Sequence, residues 1–167
     1  VYAIAVTCAN AASGIAQGVA QASLTHFVKL TKQGVRVSLA RLTLISLLCT
    51  LSAGVAIFWV VSAFGQVIFG PDFGSLAPIV AVLVVASALQ DVWKLRVARD
   101  SARETAGMLA IASAIGLAVM AAVIVILTLN NALTGLSMAG AFLAMGVSRL
   151  LAHIVLSRLG ARRSRDT

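Results

Sequence analysis

Arg149 and His153 stand four residues apart inside the apolar stretch GVSRLLAHIVLS, residues 146–157. On a helix that spacing puts both side chains on one face. A guanidinium in such a place offers charge-assisted, bidentate hydrogen bonds to an oxyanion. In the middle of a membrane-spanning run it costs at least about 2.5 kcal/mol, and such residues face a bundle interior or a water-filled cavity. Two roles follow for Arg149 and His153: lining a cavity that binds an anion, or a structural contact from the arginine to a buried carboxylate or carbonyl.

Asp91 is the nearest candidate carboxylate in depth. It lies three residues before Lys94, about 5 Å inside the end of its own apolar run. It either pairs with a neighbouring cation or takes part in proton or ion coupling. A third set, Thr7, Asn10, Gly14, Gln17 and Gln21, is spaced by alternating threes and fours and shares one helical face. Asn10, Gln17 and Gln21 would form the wall of a polar cavity or bond to a neighbouring helix; Gly14 and Gly18 add a small-xxx-small pair that permits close approach. No constellation for bond-making chemistry competes with these. His26 and His153 lie in separate runs, Cys8 and Cys49 lack metal-ligand spacing, and FGPDFG has no following P-loop lysine. The expectation is a protein that is not an enzyme and holds no metal or cofactor.

The elements that must position these residues follow from composition. Hydrophobic residues make up 60% of the 167-residue chain and charged residues only 11%, with a mean hydropathy of +1.03. Soluble domains carry roughly 25% charged residues, so this is an integral membrane protein. The net charge of +8 does not point to nucleic acid, because every basic residue lies beside or within an apolar run.

A span needs about 20 predominantly apolar residues. Five stretches meet that length: 1–24, 42–64, 78–95, 108–129 and 136–156, followed by a basic tail over 157–167. None alternates polar with apolar as a membrane barrel strand must. The expected fold is an all-α polytopic bundle forming one transmembrane domain over 1–167. Of the 13 basic residues, all but Arg149 fall at or between the ends of runs that share one side. The positive-inside rule makes that side, and the C-terminal tail, cytoplasmic. There the basic groups meet anionic membrane lipids.

The order of segments resembles the C-terminal part of bacterial polysaccharide-biosynthesis flippases. These are the O-antigen and lipid-linked oligosaccharide transporters of the multidrug/oligosaccharidyl-lipid/polysaccharide exporter superfamily. VYAIAV is similar to the family's Tyr-x-x-Ala span start at Tyr2 and Ala5. VIFGPDFGSLAPIVAVL resembles its Phe-Gly-x-x-Phe element at Phe69, Gly70 and Phe73. GLSMAGAFLAMG resembles its Gly-x-x-Gly-Ala-Ala-x-Ala signature at Gly135, Ala139, Gly140, Ala141 and Ala144, with Phe142 where a small residue is expected.

The resemblance implies that the five spans are the eighth to twelfth of a twelve-helix, two-lobed transporter of the bacterial inner membrane. A chain opening on Val1 without a leader fits a piece of such a protein, which would not transport alone. It further implies alternating access, a substrate of undecaprenyl-pyrophosphate-linked glycan, Arg149 as a contact for the pyrophosphate, and glycan polymerase or glycosyltransferase machinery as partners. A cation-coupled multidrug or metabolite exporter, with Asp91 coupling the ion, and a non-transporting membrane scaffold are the alternative expectations.

Overall fold

The computed structural model of the chain describes residues 1–14, 18, 39–71, 74–101 and 106–163. Five helices build it: α1 over described residues 2–14, α2 Leu39–Phe69, α3 Leu76–Ser101, α4 Ala106–Leu129 and α5 Gly135–Arg163. No strand occurs among the described residues. Four of the helices are long and apolar enough to cross a membrane, over Ala40–Phe69, Leu76–Ala98, Gly107–Leu129 and Gly135–Leu159. The all-helical, membrane-embedded architecture expected from composition is therefore the one found. Each of the four helices overruns the stretch read from apolarity by one to seven residues at one or both ends. Backbone hydrogen bonding continues past the last apolar side chain, because a helix ends at its cap rather than where hydropathy falls. The rest of the first expected span lies outside the described residues.

The helix ends have local causes. Gly70 takes φ +100° just after α2 and its N–H bonds back to Gln66 O at 2.9 Å, a left-handed turn suited to glycine. After α4, Asn131 sits at φ 51°, with Asn131 N–H on Thr128 O at 3.1 Å and Ala132 N–H on Leu127 O at 2.9 Å. That pair of bonds is a Schellman motif, and asparagine tolerates its left-handed position. Thr134 then caps α5: Ser137 N–H donates to Thr134 Oγ1 at 3.2 Å and Thr134 N–H donates to Ser137 Oγ at 2.7 Å. This reciprocal pair is a capping box with serine in the acceptor position.

α3 is the central helix. In its most apolar window 56% of residues are buried, against 22%, 17% and 28% in α2, α4 and α5. It packs on α2 and α5, while α4 packs mainly on α5. One core joins Ala5, Ala9 and Ala12 of α1 to Ile79, Val80 and Leu83 of α3 and Ala139 of α5. The small side chains among them let the helices approach closely, which in lipid replaces hydrophobic driving force. Gly54 serves the same end between α2 and α3, where an added Cβ would run into Val84. A second core, around Trp93, Leu109 and Ala112, closes the other end with Leu150, Ala152 and Leu156. Between the two cores lie the polar residues.

Candidate functional site

A cavity of about 470 Å³ opens between α1, α3, α4 and α5. Asn10 and Ser13 line it from α1; Ser87, Gln90, Asp91 and Lys94 from α3; Leu117 and Met120 from α4; and Phe142, Met145 and Arg149 from α5. Asn10, Asp91 and Arg149, singled out from the sequence on three separate spans, thus meet in one space. Gln17 and Gln21 lie outside the described residues. His153 is one turn beyond Arg149 and is buried, 6% exposed, and is not among the residues that line the cavity.

Arg149 reaches α3 through two neutral partners. Its Nη1 donates to Gln90 Oε1 at 3.3 Å, and its Cζ lies 5.3 Å from the centroid of the Trp93 ring. Nε is buried and has no hydrogen-bond partner among the described residues. The helix α4 closes on it from behind at Gly116, where an added Cβ would stand 3.1 Å from Arg149 Cβ and 3.2 Å from both Arg149 Nε and Met145 O. Any side chain there would have to push Arg149 or the α5 backbone aside by a few tenths of an ångström.

The carboxylate is engaged elsewhere. Asp91 is 2% exposed, and its Oδ2 accepts from Thr50 Oγ1 at 2.8 Å, across to α2. Its Oδ1 accepts from Lys94 Nζ at 3.3 Å, one turn along α3. This Lys94–Asp91 pair is the ion pair formed among the described residues. Asp91 therefore pairs with a neighbouring cation, and it also ties two helices together through a charge-assisted hydrogen bond. The cavity holds two cationic side chains and one carboxylate, and the carboxylate's near cation is Lys94. Among the described lining residues, the uncompensated positive charge is that of Arg149.

His153 meets the same indole. Its ring centroid is 5.8 Å from that of Trp93 at an interplanar angle of 87°, an edge-to-face contact. Arg96 Nη1 lies 3.5 Å from His153 Nδ1. The i, i+4 pair on α5 therefore brackets one side chain, Trp93, with Arg149 on the cavity side. Sequence reasoning missed Trp93, Gln90 and Thr50. The signal for the first two was their position on either side of Asp91, at i, i+3 spacing on one face of α3; Thr50 gave none, since a lone threonine in an apolar run is common.

The fold and cavity define a polytopic helical membrane protein with an internal cavity whose lining includes polar and cationic side chains. Comparison with protein-family models, with curated proteins and with solved structures finds no match.

Proposed function

We propose that this chain forms part of a transporter that carries lipid-linked oligosaccharide or polysaccharide repeat units across the bacterial inner membrane by alternating access. In this reading it supplies five spans of a larger two-lobed bundle, with the C-terminal tail on the cytoplasmic side. The observation supporting it is the cavity within an apolar bundle that Arg149 lines without a carboxylate partner among the described residues. An arginine held in such a place needs an anion to complete its bonding, and a diphosphate linkage offers several oxygens in the geometry that a guanidinium matches. Asn10, Ser13 and Ser87 offer hydroxyl and amide groups to the same space, the chemistry that sugars require. The family resemblance of the sequence points the same way.

The buried Asp91 favours a second reading, export of a drug or metabolite coupled to a cation that exchanges with Lys94 at the carboxylate. The two are separated by one assay. The intact membrane protein is reconstituted into proteoliposomes, and a fluorescent undecaprenyl-pyrophosphate glycan is scored for leaflet exchange by an added quencher. Flippase function predicts translocation that falls by at least about tenfold in Arg149→Gln, the loss of one charge-assisted contact. Translocation of neither lipid-linked glycan nor cation-coupled solutes would leave a scaffold role and sink both readings.

A further inference from the structure

We propose that Trp93 is a positioning residue whose indole, braced by His153, holds the Arg149 guanidinium open to an oxyanion; the proposal rests on the reading of Arg149 as the anion contact. A half-buried arginine and a buried aspartate line the same cavity, yet they do not pair. The Arg149 hydrogen bond goes to the Gln90 amide oxygen, while Asp91 bonds to Thr50 and Lys94. Guanidinium against carboxylate would neutralise the site, and an incoming anion would have to displace the carboxylate. Guanidinium on an indole face and an amide oxygen keeps its full charge, and the anion can add to the free N–H edge without separating an ion pair.

The orientation is set from three sides. Trp93 offers its ring at 5.3 Å from Arg149 Cζ, and Gln90, one turn earlier on α3, takes one N–H. Gly116 of α4 lets the helix pass close beside the side chain, where an added Cβ would stand 3.2 Å from Arg149 Nε. Trp93 itself is 6% exposed and is held edge-on by His153, which Arg96 contacts on its far side. A cation held over a ring face by the ring's quadrupole keeps its N–H donors free for other acceptors, since the ring takes none of its charge away. Nε, buried and unpartnered among the described residues, lies against α4 at Gly116, so the donors left for an anion belong to the Nη groups at the end of the side chain.

The test uses the chain's own fluorescence. Its two tryptophans are Trp59 and Trp93; Trp59 is 71% exposed on α2, so Trp59→Phe leaves Trp93 as the sole indole of these 167 residues, and the Trp59→Phe, Trp93→Tyr double variant supplies the background emission to subtract. In lipid nanodiscs, titration of the intact protein with inorganic pyrophosphate should change Trp93 emission saturably, and Arg149→Gln should abolish that change. Equilibrium dialysis should give Trp93→Leu about tenfold weaker pyrophosphate binding, with most of the affinity kept in Trp93→Tyr, which retains a ring face. Saturable pyrophosphate binding with no response in Trp93, or undiminished affinity in Trp93→Leu, would overturn the positioning role while leaving Arg149 as the contact. Failure of the unaltered protein to bind pyrophosphate would remove the anion reading and this inference with it. Should Trp93→Leu not fold, the emission response and the Trp93→Tyr affinity decide the matter between them.

Discussion

Arg149 rests on Trp93, with its Cζ 5.3 Å from the ring centroid, although the carboxylate of Asp91 borders the same cavity. Magnitudes make the choice of partner meaningful. A cation–π contact contributes about 0.5–2 kcal/mol, whereas parting a buried ion pair costs about 3–5 kcal/mol. A ligand that engages the guanidinium therefore meets a small barrier where Arg149 sits and would meet a large one beside Asp91. The arrangement gives up some stability and keeps a positive charge available.

Replacement by lysine separates charge from shape. Arg149→Lys keeps the charge but loses the planar fork, so it cannot both stack on Trp93 and reach Gln90 with directed N–H groups. The expected outcome is a protein present in membranes at the normal level, with glycan translocation reduced by about tenfold. Quantitative immunoblotting of the membrane fraction beside the proteoliposome assay reads both. Unchanged translocation would mean that only charge at this position matters.

His153 is expected to act through Trp93 rather than on a ligand, because it packs edge-to-face on the indole and lies apart from the cavity lining. His153→Phe preserves a ring in that place and should retain most activity. His153→Ala removes the brace, with an expected cost of about 0.5–1.5 kcal/mol from the lost aromatic pair alone and a matching shift in Trp93 emission. Equal loss in both variants would return the imidazole to direct contact with the substrate.

The helical, membrane-embedded fold was legible in the sequence because an apolar run of about twenty residues matches the thickness of a bilayer and would burden a soluble surface. Arg149 and Asp91 were legible as candidates because charge in such runs is costly. Their actual partners were not. Arg149 and Asp91 lie 58 residues apart in the chain, a separation read directly from their numbers, and which faces of α3 and α5 meet depends on packing at small residues such as Gly146, where an added Cβ would stand 3.4 Å from Leu89 Cβ. Apolarity alone says nothing about helix rotation. For the same reason Thr50, an ordinary residue within an apolar run, could not be matched to Asp91 before the helices were in place.

Thr50 is fully buried and donates to Asp91 Oδ2 at 2.8 Å. Thr50→Val keeps the shape and leaves the carboxylate oxygen without that donor, a loss of about 1–3 kcal/mol, more when the acceptor is charged. Thr50→Ser restores the hydroxyl and should recover most of the stability. Thermal unfolding in detergent measures the difference. Equal midpoints for Thr50→Val and the unaltered protein would mean that the α2–α3 contact draws its stability from packing around Gly54 and Val84.

Gly116 offers the sharpest test of packing around the site, because the same substitution has opposite expected signs at two glycines. At Gly140, on α5, an added Cβ meets nothing within 4 Å, so Gly140→Ala should be neutral or stabilise by up to about 1 kcal/mol through helix propensity. At Gly116 the Cβ would press on Met145 O at 3.2 Å and on Arg149 Cβ and Nε at 3.1 and 3.2 Å. The first is helix backbone and cannot turn aside; the others can move only by drawing Arg149 off Trp93. Overpacking of this kind costs about 1–3 kcal/mol, enough to outweigh the propensity gain. Gly116→Ala should therefore lower the unfolding midpoint and reduce translocation together, while Gly140→Ala leaves both where they were or raises the midpoint. If both variants behaved alike, α4 would not be confining Arg149, and the room for the guanidinium would have to come from α3 and α5 alone.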